Sequence, residues 1–277
     1  MRLYKTKNCV VIEADEKFYL LKDEDWDSFV NDDNLFDKML KNIQSGKLLD
    51  RGKDILNNIE APIHSQEIWA SGVTYMRSKI GRQEESKNAG GGDFYGKVYE
   101  AERPELFFKA THHRVANPGG KVRIRKDSTW NVPEPELTLM ITSSGKIVGY
   151  TIGNDMSSRS IEGENPLYLP QAKTYDGCAA VGPCIYVTKE PLSPDTVIDL
   201  EIKRSGETVF QGDVELNQLK RKPEELVSFL YRECSFPNGS LLMTGTGIFP
   251  SSDFSLQSGD EIIITIGLIG TLINTVK

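Results

Sequence analysis

Val132-Pro133-Glu134-Pro135-Glu136-Leu137 and Gly153-Asn154-Asp155 are the two ends of one hairpin. Leu137–Ile141 reads as a strand, Ser143–Lys146 as a turn and Ile147–Ile152 as the returning strand. Counting outward from a turn centred on Ser144-Gly145 sets Glu134 opposite Asp155. Side chains alternate faces along a strand, so Glu136 shares the face of Glu134. Directly opposed pairs have Cβ atoms about 4.5–5.5 Å apart. Three carboxylates then crowd one patch, and like charges so placed need a cation or a shared proton.

The alternative is a solvated hairpin face, with Pro133 and Pro135 marking an edge strand. In favour of a metal stand the opposed pair and the strand-end aspartate. Without a nearby histidine or thiolate, such a trio is a hard oxygen donor set, suited to Mg²⁺, Mn²⁺ or Ca²⁺ rather than Zn²⁺.

The remainder of the chain is strand-rich. Strands are expected at Ile68–Val73, Leu106–Lys109, Val122–Arg125, Pro183–Val187, Val197–Ile202, Thr208–Phe210 and Glu261–Ile266, with a helix starting at Pro223. This pattern predicts a mostly β (α+β) protein, a sandwich or rolled sheet. Residues 1–62 read as a small N-terminal α/β domain. It holds a short hairpin and a helical stretch, Trp26–Leu49, broken at Asn31-Asp32-Asp33-Asn34. Residues 63–277 form the main domain. Within it, the charged and glycine-containing stretch of about 76–98 suits a mobile lid or, equally, a solvated surface helix and loop.

The 277 residues carry a formal charge of −7 with no dominant Lys/Arg cluster, which argues against nucleic acid or an anionic membrane as partner. The four cysteines form no CxxC pair, and no apolar stretch is long enough to span a bilayer. The N-terminus has no apolar signal core, so a cytoplasmic location is expected.

Several other residues carry chemistry. Lys173 lies in a charge-poor neighbourhood; it is either a solvated lysine or a partly buried one able to act as a base. Glu105, before Leu106-Phe107-Phe108, either caps a strand or is an acid beside an apolar wall that raises its pKa. Thr244-Gly245-Thr246-Gly247 is a plain turn or a nest of N–H groups for carboxylate or phosphate oxygens. Of the adjacent His112 and His113, alternation lets at most one face such a site.

Taken together and in order, these segments resemble the fumarylacetoacetate hydrolase superfamily over residues ~65–277, the span of a catalytic domain of ordinary size. The marks are Gly72 and Tyr75, Arg103–Lys109, Glu134-Pro135-Glu136-Leu137, Asn154–Arg159, Lys173–Asp176, Gly182-Pro183 and Thr244–Gly247. The resemblance implies a mixed β-sandwich roll, a homodimer or higher homo-oligomer, and Mg²⁺ or a similar ion on Glu134, Glu136 and Asp155. Val132–Glu136, Glu162–Gln171 and Arg103–Ala110 are similar to the superfamily's dehydratases of 2-keto-3-deoxy sugar acids.

That implies a small-molecule 2-keto acid substrate and a metal-stabilised enolate. Lys173 would be the base at C3, and Glu105 the acid that protonates the departing C4 hydroxyl. Tyr75, Arg77, Gly245 and Thr246 would contact substrate. A pentonate would yield 2-oxoglutarate semialdehyde. The lid departs from the dehydratases. The superfamily's acylpyruvate hydrolases, which activate water from the lid, are the alternative, with Glu84 or Glu85 in place of a lid histidine.

Overall fold

The computed structural model describes the chain except residues 8, 23, 50–51 and 86–91, together with the side chains of 52–53, 84–85 and 92–93. Among the described residues two large sheets dominate. The first carries, in spatial order, Lys47–Leu48, Lys17–Lys22, Cys9–Ala14, Arg2–Thr6, Ala179–Tyr186, Ile147–Asp155, Pro135–Ile141, Ser240–Met243, Glu67–Gly72 and Glu105–Thr111. The second runs Glu207–Glu215, Val197–Arg204, Glu261–Ile266, Gly270–Val276 and Lys121–Val122.

Alternation decides what each face of the first sheet buries. Leu137, Leu139, Ile141 and Ile152 point one way and join Ile198, Leu200, Ile262 and Ile264 of the second sheet in one apolar cluster. Each such side chain contributes roughly 1.5–3 kcal/mol by leaving water. Met140, Met243, Ile68 and Ala70 point the other way, into a second cluster with Trp26, Phe29, Leu35 and Met39. The strands from residues 2–22 extend the first sheet through Leu3↔Ile185, so the N-terminal segment shares sheet and core with the rest.

The helical stretch is two helices, Trp26–Val30 and Leu35–Ser45, parted at the expected break. Asp25 caps the first by accepting from the Ser28 N–H at 3.0 Å. Val122–Arg125, expected as a strand, pairs only over Lys121–Val122. Arg123 and Arg125 instead turn toward Asp176 and Asp127.

The carboxylate hairpin spans Pro135–Ile141 and Ile147–Asp155. Its register pairs Pro135 with Asn154 and Glu136 with Gly153, and a bulge next to the turn shifts Ile141 onto Ile147. Beyond the strand end, Glu134 and Asp155 exchange backbone hydrogen bonds of 3.2 and 2.9 Å. The strand is not at an edge: Ser240–Met243 pairs with Thr138–Ile141. Pro135, its first residue, lies beyond the reach of that neighbour, so the missing N–H costs no ladder bond.

Candidate metal and acid–base site

Glu134, Glu136 and Asp155 lie on the sheet face of Thr138 and Met140, away from the sandwich core. All three are buried, and one carboxylate oxygen from each lies within 4.8 Å of the others. Each has a different electrostatic setting. Glu134 accepts from Arg159 Nη2 and Lys173 Nζ, both at 2.6 Å. Burial opposes its ionisation, but Lys173 and Arg159 outweigh that and hold it well below the usual carboxylate range. Asp155 Oδ1 lies 2.5 Å from Lys109 Nζ, and Oδ2 accepts from Lys173 at 3.1 Å.

Glu136 has no cation partner among the described residues. Its Oε2 accepts only the Gly245 N–H, at 2.5 Å. Burial first, then the charges of Asp155 and Glu134, push its pKa well up. A buried carboxylate beside two others, without a cation of its own, fits a divalent cation bound by hard oxygen donors.

The Thr244–Gly247 turn anchors that carboxylate. Gly245 takes φ +96°, and a Cβ there would lie 1.9 Å from Thr74 Oγ1, so only glycine fits. Thr246 Oγ1 donates to the Ile248 carbonyl at 2.8 Å and is thereby committed to its own turn. Tyr75 is buried, and its hydroxyl has no hydrogen-bond partner among the described residues. Burial and Glu136 push its pKa up.

Lys173 is buried, not solvated. It ends the short helix Leu169–Lys173, and its Nζ also reaches Ser157 Oγ at 2.6 Å. The ring of Phe107 walls it at 5.6 Å. A helix's last carbonyls lack partners within the helix. Here Lys109 Nζ donates to the Lys173 carbonyl at 2.5 Å and to the Met156 carbonyl at 2.9 Å.

Glu105 opens its strand opposite Gly72, on the carboxylate face. The side chain is only half-buried as a whole, but Oε2 is sealed and has no hydrogen-bond partner among the described residues. Desolvation of that end raises its pKa, opposed by the charges of Arg82 and Lys173. Beside it opens a cavity of about 630 Å³, walled by Phe94, Tyr95, Pro104 and Leu167.

Two helices, Met76–Glu85 and Gly92–Glu100, cover the lid region. Arg77 is exposed and lies over Phe249, 5.1 Å from the ring; the structure does not gather it with the carboxylates. Arg82, about 140° further round the same helix, turns inward and pairs with Glu162. The side chains of Glu84 and Glu85 lie outside the described residues. His64, His112 and His113 cluster with one another at ring-centroid separations of 6.2 and 5.8 Å, and all three are exposed.

The sequence reading missed Lys109, Arg159, Glu162 and Arg82 as site residues. Lys109, Arg159 and Glu162 stood in recognised motifs, and Arg82 in the lid stretch. The available signal was a charge within a run that otherwise reads as buried.

Residues 83–277 match the family described as fumarylacetoacetate (FAA) hydrolase, C-terminal. A probable 2-keto-3-deoxyxylonate dehydratase of Haloferax volcanii is 47% identical over 216 residues, covering 78% of this chain and 73% of that protein. The 2-dehydro-3-deoxy-D-arabinonate dehydratase of Saccharolobus solfataricus is 46% identical over 221 residues, covering 79% and 74%. A solved structure of 2-keto-3-deoxy-D-arabinonate dehydratase complexed with magnesium and 2,5-dioxopentanoate aligns with TM-score 0.84 at 37% identity. The alignment covers 100% of this chain and 99% of that one.

Proposed function

The chain belongs to the fumarylacetoacetate hydrolase family, and from that premise we propose that it dehydrates a 2-keto-3-deoxy sugar acid. The observation that carries this reading is Lys173, a fully buried lysine whose Nζ touches two members of the acidic trio. The dehydratase relatives support the same class of substrate.

Glu134, Glu136 and Asp155 would hold Mg²⁺, or Mn²⁺ or Ca²⁺ in its place, and the bound ion would act as a Lewis acid toward the 2-keto acid. Lys173 takes a proton from C3. Phe107 and the burial of Nζ keep bulk water from that position. Glu105, whose acid form desolvation favours, gives its proton to the C4 hydroxyl, which leaves as water. With a pentonate, the C3–C4 double bond so formed tautomerises to 2,5-dioxopentanoate, the same compound as 2-oxoglutarate semialdehyde. Tyr75 and Gly245 line the carboxylate side, while Arg77 and Thr246 are the weaker substrate contacts, given where their side chains point.

All of these groups come after residue 62, which supports a catalytic unit at 63–277 and an accessory one at 1–62. The reading includes a cytoplasmic homodimer or higher homo-oligomer without nucleic-acid or membrane partners. The acidic charge speaks against nucleic acid and anionic membranes as partners, and no helix among the described residues is long and apolar enough to cross a membrane.

The test is incubation with Mg²⁺ and either 2-keto-3-deoxy-arabinonate or 2-keto-3-deoxy-xylonate, following 2-oxoglutarate semialdehyde. Pyruvate release from an acylpyruvate, with no dehydration of any 3-deoxy acid, would overturn the dehydratase and favour a carbon–carbon bond hydrolase.

A further inference from the structure

Arg82 and Glu162 form a buried ion pair between helix Met76–Glu85 and helix Arg159–Glu164, which follows Asp155. Arg82 is 5% exposed and Glu162 1%. Glu162 faces two more cations at longer range: Oε1 is 3.8 Å from Lys173 Nζ, and Oε2 is 3.9 Å from Arg159 Nε. Lys173 is held more closely on its other side, at 2.6 Å from Glu134 and Ser157 and 3.1 Å from Asp155. Its ammonium thus stands between two groups of carboxylates. Which group holds it depends on how well each is compensated elsewhere.

We propose that Arg82 is a positioning residue. By pairing with Glu162 it keeps that carboxylate from drawing Lys173 away from Glu134 and Asp155, so the seating of helix Met76–Glu85 sets the candidate base. A buried carboxylate that loses its partner must find another cation, because its desolvation is otherwise uncompensated. For Glu162 without Arg82, the near candidates are Lys173 and Arg159. Arg159 already serves Glu134 at 2.6 Å and stacks on Phe249. Lys173 ends a flexible four-carbon stem and moves more readily. The rest of the helix's described charge points elsewhere: Arg77 lies over Phe249, and Lys79 reaches Glu100 at 3.5 Å. Among the described residues, Arg82 is therefore the charged group by which this helix reports its seating to the site. The role given to Lys173 rests on the dehydratase reading, whereas its displacement does not.

The experiment compares Arg82→Gln, Arg82→Lys and the double variant Arg82→Gln/Glu162→Gln. Crystal structures report the Lys173 position, and steady-state kinetics use Mg²⁺ and a 2-keto-3-deoxy pentonate. In Arg82→Gln, Lys173 Nζ is expected within hydrogen-bond distance of Glu162. The kcat should fall roughly 100-fold, the scale of an ångström misplacement, with KM little changed. Arg82→Lys should restore most of the kcat. The double variant should recover about tenfold over Arg82→Gln, because the uncompensated carboxylate is gone. A general loosening of the helix would not give that recovery. An unmoved Lys173 in Arg82→Gln, or a double variant no faster than the single one, overturns the proposal. Absence of turnover in the wild-type protein overturns the dehydratase reading instead, and the crystallographic comparison still decides the role of Arg82.

Discussion

Lys109 and Lys173 hold one carboxylate by its two oxygens: Lys109 Nζ lies 2.5 Å from Asp155 Oδ1, and Lys173 Nζ lies 3.1 Å from Oδ2. The two lysines are further linked, since Lys109 donates to the Lys173 carbonyl. Lys109 thus fixes both the aspartate and the end of the helix that carries the candidate base. Lys109→Met keeps much of the volume but strips a buried carboxylate and two carbonyls of their donor. Removing one partner of a buried ion pair costs about 3–5 kcal/mol, and urea denaturation should read a loss on that scale. A change within about 0.5 kcal/mol, typical of a surface position, would contradict the arrangement.

Among the described residues, Glu136 is the trio member that lacks a cation partner. Its pKa is raised from 4.5, so above that value the folded state binds more protons than the unfolded one, and stability falls as pH rises. In EDTA, Glu136→Gln should melt above the wild type near neutral pH, with the difference shrinking toward pH 4.5. Mg²⁺ should reverse the ranking. At 100 times its Kd it stabilises the wild type by about 2.7 kcal/mol and the variant by much less. Equal Mg²⁺ shifts in the two proteins would remove Glu136 from the ligand set.

Glu105 should set the alkaline limb of the rate profile. Desolvation raises its pKa, so the acid form persists above the ordinary carboxylate range and is lost as pH climbs through the raised value. The kcat should therefore decline on the alkaline side. Glu105→Gln should lower kcat by roughly 10²–10⁴ and abolish that limb. Survival of the limb in the variant would assign it to another group.

Gly72 leaves room for that acid. A Cβ there would lie 1.9 Å from Glu105 Oε2, so Gly72→Ala must displace the carboxyl. A kcat reduced at least about tenfold is expected, with the Mg²⁺ Kd from calorimetry unchanged, because the three atoms nearest that position all belong to Glu105. A variant with wild-type kcat would show that Glu105 acts from elsewhere.

The hairpin shows how far local reading reaches. Alternation and one turn were enough to set Glu134 opposite Asp155, and the structure keeps that register through to the bulge at Ile141. The helix break at Asn31–Asn34 and the helix at Pro223 were equally legible, because caps and apolar spacing act within a few residues. The lid's inward arginine was not. Arg77 and Arg82 share a helix, and only the phase at which that helix packs decides which of them is buried.

By itself the sequence determined the two-strand carboxylate platform, the mostly β architecture and the family, since each rests on short-range alternation or contiguous motifs. Only the tertiary structure decided that Lys173 is buried and ion-paired, that Lys109 supports it from 64 residues away, and that Arg82 meets Glu162. Those pairings join segments that touch only once two sheets and the lid have packed. There the loss of water forces each charge to find a partner, and nothing in the spacing of residues along the chain encodes which partner that is.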